Sequence, residues 1–277
     1  MKRSFTKMHG CMNDYIYFDC LREPLEDPAA VSVRLCDRHA SVGGDGIVLI
    51  CPSDRADARM RMFNADGSEG QMCGNAARCV GKYLYERAGM KKDRLTLETL
   101  SGIRPLCLLV EDGIVRSVKA DMGAPILEGR SIPAAADGQV IRRPLDVDGR
   151  RWEVTCVSMG NPHCVVFTDD PESLDLPAIG PKFENHPFFP ERVNTEFVRV
   201  IDRHTLAMRI WERGSGETLA CGTGACAAVA ASVLCGYCPK GETVCVRLRG
   251  GELRICWRDT VTLEGDAVIA FDGEVEL

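Results

Sequence analysis

The sequence lacks three features that would each define a broad class of protein. It has no apolar stretch as long as a membrane-spanning helix. It has no apolar segment near its start of the kind that a secretory signal contains. It has no excess of basic residues, its formal net charge being −6. We therefore expect a cytoplasmic globular protein whose main partner is neither a membrane nor a nucleic acid. Its 277 residues are enough for two domains of ordinary size.

Cysteine is abundant, at 15 residues, but the spacing of a cysteine-based site is missing. Disulfide frameworks are typical of short secreted chains, so we do not expect one in this longer chain with no secretory signal. The sole C-x-x-C, Cys235–Cys238, has no second pair of the kind that a zinc site needs, and it falls where a helix should end. We interpret it as two ordinary thiols and expect no metal site. Other cysteines, such as Cys51 and Cys107, alternate with aliphatic residues and are predicted to be small buried side chains.

An internal repeat accounts for two of the remaining cysteines. A shift of 148 positions, the spacing of Cys73 and Cys221, aligns "SEGQMCGNAARC" with "GETLACGTGACA" and carries Asn13 onto Asn161. The same ungapped shift aligns Arg61 with Arg209, Phe63 with Trp211, Glu69 with Glu217, and Ala77 with Ala225. The chain therefore reads as two related halves.

The predicted halves are residues 1–120, with Cys73, and 121–265, with Cys221. A Gly- and Pro-containing linker, "MGAPILEGRSIP", lies near their junction. The final stretch, 266–277, is predicted as a further pair of strands that could return to either half, and we group it with the first.

Each half combines short apolar strands with one long helix. The predicted strands are "GIVLI", "RLTLET", "LCLLV", "CVVF", "EFVRVID" and "TLAMRIW". The predicted helices, "NAARCVGKYLYERAG" and "GACAAVAASVLCG", directly follow the two cysteine segments. The expected fold is mixed α/β (α+β), with two pseudo-symmetric halves that each wrap a β-sheet or barrel around a central helix.

A cysteine at a helix start has a distinctive chemistry. Unpaired backbone N–H groups and the positive end of the helix dipole lower a thiol pKa there and also attract anions. One such cysteine is a candidate nucleophile, redox sensor or packing residue. Two on duplicated halves suit a stereoinversion, in which one thiolate removes an α-proton and the opposing thiol returns a proton to the other face. This predicts a racemase or epimerase that needs no cofactor.

Five segments in order carry a resemblance to a known family. They are "KMHGCMNDY", "FNADGSEGQMCGNAARC", "MGNPHCVVF", "RVNTEFV" and "WERGSGETLACGTGACA". Through them the sequence resembles the diaminopimelate epimerases over nearly its whole length. The resemblance implies interconversion of LL- and meso-diaminopimelate without pyridoxal phosphate, a homodimer, and a place in lysine or peptidoglycan-precursor biosynthesis.

The resemblance also implies roles for individual residues. Cys73 and Cys221 would be the acid–base pair, assisted by His163 and Glu212. Backbone amides of Gly74, Asn75, Gly222 and Thr223 would hold the carboxylate at the reacting centre. The distal amino acid end would contact Asn64, Asn161, Asn194 and Arg213, with Asn13 nearby. Turn or cap roles for the asparagines, and a purely structural His163, remain the alternatives.

The sequence departs from the family pattern at one position, and two other functions are compatible with part of it. Many relatives have a glutamine where "VGGDGIVL" has Gly46, which puts the fine substrate preference in question but not the reaction class. A related two-cysteine racemase acting on proline, hydroxyproline or another amino acid shares the mechanism but does not need the distal asparagines and Arg213. A non-catalytic amino acid binding protein or thiol redox sensor would explain reactive cysteines but not the polar residues around them.

Overall fold

The structure is a computed structural model that describes residues 2–277. These residues form 18 β-strands and four α-helices, which confirms the expected strand-rich α+β class. They group into two compact units: unit 1 contains the chain up to Asp121 and Glu264–Leu277, and unit 2 is Met122–Leu263. None of the helices in the described part of the chain has the length and apolar character needed to cross a bilayer.

Unit 1 contains eight strands and two helices before its boundary and one strand from the chain end. In order they are β1 Lys2–Gly10, β2 Asn13–Asp19, α1 Pro28–Leu35, β3 Gly46–Cys51, β4 Ala58–Asn64, β5 Glu69–Gly70, α2 Gly74–Glu86, β6 Arg94–Thr99, β7 Gly102–Glu111 and β8 Ile114–Asp121, followed much later by β18 Val268–Glu276. Among the described residues, unit 1 therefore has nine strands, β1 to β8 and β18, and two helices.

Unit 2 follows with a similar series. Its elements are β9 Arg143–Val147, β10 Arg150–Ser158, β11 Pro162–Phe167, α3 Leu176–Glu184, β12 Asn194–Asp202, β13 Thr205–Glu212, β14 Gly216–Thr218, α4 Gly222–Leu234, β15 Thr243–Leu248 and β16 Gly251–Trp257. Short 3₁₀ turns occur at Gly129–Ser131 and Pro171–Ser173, and β17, Val261–Gly265, leads back to unit 1.

Strand pairing in the two units follows the same sequence of directions. In unit 1, β1–β2 is antiparallel, β2–β3 parallel, β3–β4 antiparallel, β4–β6 parallel and β6–β7 antiparallel. In unit 2, β10–β11, β11–β12, β12–β13, β13–β15 and β15–β16 repeat that series. The short helices α1 and α3 occupy the same place in each series, as do α2 and α4, which both have 13 residues.

The two long helices are largely buried, and α4 is rich in small residues. Ten of the residues in α2 and ten in α4 are buried, and in α4 most of them are Ala, Gly or Cys. Such residues let strands approach the helix axis closely on all sides. Apolar side chains of α1 and α3 pack separately, with Leu35 in a cluster around Phe18 and Phe63 in unit 1, and Phe183 in a cluster around Trp152 and Phe197 in unit 2.

Two local expectations are wrong. The end of the chain forms one continuous strand, β18, which pairs antiparallel with β1, and not a pair of strands. Cys107 is exposed because it alternates along β7 with the buried Leu106 and Leu108, so its side chain lies on the outer face. Alternation with aliphatic residues therefore indicates a strand but does not tell which face is buried.

Candidate functional site

Cys73 occupies the N-cap position of α2. Its backbone is extended (φ −134°, ψ 123°) and its side chain is half-buried. The thiol donates a hydrogen bond to Asn13 Oδ1 at 3.4 Å, and the same oxygen accepts one from Asn75 Nδ2 at 3.2 Å. Asn13 therefore joins the thiol to the first turn of the helix, where the amides of Gly74 and Asn75 have no partner within the helix.

A carboxylate fixes the orientation of Asn13. Asn13 Nδ2 donates to Asp45 Oδ2 at 2.7 Å, which directs Oδ1 of the same amide toward Cys73. Asp45 Oδ1 in turn accepts from Arg38 at 2.8 Å. Asn13 follows a tight turn in which Cys11 and Met12 both have positive φ, 51° and 62°. This strained backbone is maintained by its surroundings, which is common at functional sites.

The space beside Gly46, where a side chain would lie, is filled by other protein atoms. Gly46 pairs with Tyr15 on β2 and with Asn64 on β4. A Cβ atom at Gly46 would collide with the carbonyl of Phe63 and lie 2.7 Å from the Tyr15 ring. No larger side chain fits there without a backbone shift. Burial, and then the neighbouring Cys73, raise the pKa of Tyr15 well above its usual range, so this phenol is a neutral neighbour of the thiol.

Asn64 lies at the end of β4 and belongs to the turn into β5. Its Nδ2 donates to Ser68 Oγ at 2.9 Å, and its carbonyl accepts from Ser32 Oγ at 2.8 Å. In unit 1 the structure therefore brings Asn13, Cys73 and Asn75 into direct contact, whereas Asn64 is held by its own turn.

Cys221 occupies the matching N-cap position of α4, with φ −134° and ψ 115°. It is more enclosed than Cys73, at 7% exposure. Its sulfur accepts from the Gly224 N–H at 3.4 Å and lies 3.4 Å from Thr223 Oγ1. Burial raises the pKa of Cys221 well above its usual value, and the nearby Glu212 raises it further, while the Thr223 and Gly224 hydrogen bonds lower it.

His163 does not hydrogen-bond to Cys221 within the described residues. Its Nε2 lies 3.0 Å from Asn161 Oδ1, and Asn161 Nδ2 donates to Thr223 Oγ1 at 3.3 Å. Thr223 in turn contacts the Cys221 sulfur. His163 is therefore connected to the thiol through two intervening side chains.

The other predicted residues of unit 2 are held by neighbouring loops and strands. Glu212 accepts from Thr218 Oγ1 at 2.5 Å and acts electrostatically on Cys221. Asn194 donates to the Pro162 carbonyl at 2.8 Å and accepts from the Arg213 backbone N–H at 2.9 Å. The Arg213 guanidinium donates to the Glu191 carbonyl at 2.9 Å. Asn194 thus ties the strand of His163 to the loop of Arg213.

Two carboxylates that contact these residues were not predicted from the sequence. Asp45 orients Asn13, and Glu196 lies 2.6 Å from His163 Nδ1. Both stand inside segments already noted, "VGGDGIVL" and "RVNTEFV". Neither has a spacing signal, because each meets its partner through the pairing of separate strands. Across residues 2–277, no group of three or more His, Cys, Asp or Glu side chains is arranged to hold a metal ion.

Known proteins match this chain over nearly its full length. A family model described as diaminopimelate epimerase matches residues 5–128 and 155–272. A diaminopimelate epimerase of Acetivibrio thermocellus is 54% identical, covering 99% of this chain and 98% of that protein. One of Desulfovibrio desulfuricans is 51% identical, covering 98% and 97%.

Solved structures show the same fold at low identity. A hydroxyproline epimerase of Agrobacterium vitis superposes with a TM-score of 0.70 at 17% identity, covering 99% of this chain and 92% of that one. At such identity the likeness concerns the fold alone. Sequence identity near one half over the whole length goes further, and on that basis the chain belongs to the diaminopimelate epimerase family.

Proposed function

We propose that this protein is an isomerase that interconverts LL- and meso-diaminopimelate by transferring a proton at one α-carbon. The observation that carries the proposal is the repeated cysteine site. In each unit a 13-residue helix begins directly after a cysteine, with nearly the same backbone angles at both cysteines. Relatives of about half-identical sequence bear the name diaminopimelate epimerase.

The reaction needs one base and one acid. The thiolate of Cys73 or Cys221 removes the α-proton and becomes a thiol, and the other thiol protonates the opposite face of the carbanion and becomes a thiolate. After one turnover the two cysteines have exchanged their protonation states, and a turnover in the reverse direction restores the original ones. Amide N–H groups of Gly74, Asn75, Gly222 and Thr223 bind the α-carboxylate, since helix N-termini favour anions. Preorganised donors of this kind stabilise the charge that develops as the proton leaves.

The remaining predicted residues recognise the distal end or manage protons. Asn64, Asn161, Asn194 and Arg213 bind the distal carboxylate and ammonium groups. Arg213 suits a carboxylate because its guanidinium can donate two parallel hydrogen bonds. Glu212 acts on Cys221 through its charge, and His163 acts through Asn161 and Thr223.

We also propose that the enzyme is a cytoplasmic homodimer that supplies lysine or peptidoglycan-precursor synthesis. Family membership supports the biosynthetic setting, since a diaminopimelate epimerase delivers the meso isomer to later steps.

Proton NMR in deuterated water tests the function directly. Reduced protein is incubated with LL-diaminopimelate and, separately, with proline, hydroxyproline, glutamate and lysine. We expect loss of the α-proton signal and formation of meso product with diaminopimelate alone. Cys73→Ala and Cys221→Ala should abolish both. Cys79→Ala and Cys226→Ala, on the same helices but in packed positions, should keep them.

The other outcomes reassign the function. Exchange with proline or hydroxyproline in place of diaminopimelate would indicate a related two-cysteine racemase. Folded, fully reduced protein that exchanges none of these amino acids would contradict an epimerase and favour a binding or redox-sensing role.

A further inference from the structure

His163 and Glu196 form a buried pair in unit 2. Both side chains are completely enclosed, and Nδ1 of the histidine lies 2.6 Å from Oε1 of the glutamate. The other ring nitrogen, Nε2, lies 3.0 Å from Asn161 Oδ1, which can only accept. With the Asn161 amide in this orientation, Nε2–H donates to Oδ1, while Nδ1 makes a short hydrogen bond with the Glu196 carboxyl group.

From Asn161 a chain of hydrogen bonds continues to Cys221. Because Asn161 Oδ1 faces His163, its Nδ2 faces Thr223 and donates to Oγ1 at 3.3 Å. The Thr223 hydroxyl, having accepted from Asn161, has its own hydrogen available for the Cys221 sulfur 3.4 Å away. Each donor in the chain thus points toward the sulfur. Hydrogen bonds donated to a thiolate favour that form over the thiol.

The position of Glu196 is tightly confined. A Cβ atom at Gly224, in the first turn of α4, would lie 2.7 Å from Glu196 Oε1, so a larger residue there would displace the carboxylate. The second oxygen, Oε2, is buried without a hydrogen-bond partner in the described part of the chain. A buried acceptor without a hydrogen-bond partner destabilises the folded state. A carboxylate retained at such a cost indicates a role beyond stability.

Charge alone would work against a thiolate here. The ionisable groups that face Glu196 are His163, Glu212, Cys164 and Cys221. Burial raises the pKa of Glu196, and the adjoining His163 opposes that change. Carboxylate charges beside Cys221 disfavour its thiolate form. Any stabilisation of the thiolate by Glu196 must therefore come through the hydrogen bond to His163.

We propose that Glu196 is a positioning residue that holds His163 with Nε2–H toward Asn161, so that the chain through Asn161 and Thr223 ends as a donor to the Cys221 sulfur. The proposal rests on the proposed function only for the catalytic meaning of Cys221. Its tests use the full-length reduced protein without substrate, so their failure is separate from a failure of the epimerase assignment.

The state of His163 can be read in the wild-type protein. Long-range ¹H–¹⁵N correlation of ¹⁵N-histidine protein, with His163 assigned from the His163→Asn variant, distinguishes the ring nitrogens. We expect a protonated Nε2. A bare Nε2 would overturn the proposal, because Asn161 would then turn its amide hydrogens toward the histidine and reverse the chain.

A double-mutant cycle tests the connection to the sulfur. Thr223→Val removes the last donor but keeps the helix amide, and alkylation of Cys221 by iodoacetamide is followed by mass spectrometry with Cys73 as reference. In wild type we expect Thr223→Val to slow alkylation about tenfold, the effect of losing roughly one hydrogen bond to a charged group. In Glu196→Leu, Thr223→Val should have less than about a twofold effect, because coupled residues are non-additive.

Thr195→Val is the matched control for this cycle. Thr195 is equally buried on the same strand, and its Oγ1 has no partner within the described residues. In this background the full effect of Thr223→Val should persist. The same slowing in all three backgrounds would contradict the proposal. Should Glu196→Leu fail to fold, the histidine NMR result on wild type decides the question.

Discussion

Asn13 accepts a hydrogen bond from the Cys73 thiol, and Asp45 holds the Asn13 side chain in position. One Asp45 oxygen accepts from Asn13 and the other from Arg38. An amide at this position has a single acceptor oxygen and cannot satisfy both donors. We expect Asp45→Asn to lower kcat for the epimerisation about tenfold, since the loss of one positioning hydrogen bond is worth roughly 1–1.5 kcal/mol.

Asp57 offers a matched control for that substitution. It too accepts from a cation with one oxygen, Lys92, and from Thr96 with the other, but it does not contact Asn13. Asp57→Asn should leave kcat within about twofold of wild type, as most substitutions remote from a site do. Steady-state kinetics in both directions measure the difference, and an unchanged kcat for Asp45→Asn would refute the role of Asp45.

Among single residues, the sequence identified those that belong to a recognisable motif. The cysteines stood out by their repeat, and the asparagines by the family resemblance. Asp45 and Glu196 did not, because their partners are set by the parallel pairings of β2 with β3 and of β11 with β12. No local periodicity specifies which strands will be neighbours, so contacts across strands could not be predicted from one sequence.

Among the elements, the β4–β5 and β13–β14 hairpins repeat one ion pair. Arg61 holds Glu69 through two hydrogen bonds of 2.7 and 3.0 Å, and Arg209 holds Glu217 through two of 2.8 and 3.0 Å. The environments differ, since the Arg61 side chain is 34% exposed and that of Arg209 only 5%. The same chemistry is therefore exposed to water in one unit and buried in the other.

This difference predicts unequal costs for the same substitution. Glu217→Gln leaves a buried guanidinium without its carboxylate and should lower the free energy of unfolding by about 2–3 kcal/mol. Glu69→Gln should cost less than about 1 kcal/mol, because exposed ion pairs contribute little. Urea denaturation followed by circular dichroism measures both. Equal losses for the two variants would show that burial of Arg209 does not strengthen the pair.

Elements with strong periodicity were predicted well, and short ones were not. The helix after Cys73 was predicted from apolar residues at helical spacing, and the helix after Cys221 from a continuous run of small apolar residues. Helices α1 and α3 were missed: they have eight and nine residues, and α3 has Pro181 in its interior. Both begin after an aspartate cap with a proline in the first turn, a signal that is visible in the sequence but weak without a long apolar face.

For the whole molecule, the repeated order of strands and helices extends the internal sequence repeat to the level of topology. The exception is the end of the chain, which has its pairing partner at the beginning. Strand β18 pairs with β1 from Lys2↔Glu276 to His9↔Val268. Near it, the fully buried Arg78 donates to the Asp266 carbonyl at 2.9 Å. Asp266 also accepts from the backbone N–H of Cys11, in the turn before Asn13.

Truncation after Gly265 should therefore affect unit 1 selectively. It removes the strand that pairs with β1 and leaves the Arg78 cation buried without this carbonyl, which is strongly destabilising. Hydrogen exchange followed by mass spectrometry should show loss of protection in β1 and β2 and retained protection in β11 and β12. The three tryptophans, Trp152, Trp211 and Trp257, all belong to unit 2, so their fluorescence transition in urea should persist. Unchanged protection of β1 would mean that β18 is dispensable for unit 1, whereas a lost tryptophan transition would mean that unit 2 depends on the intact chain end.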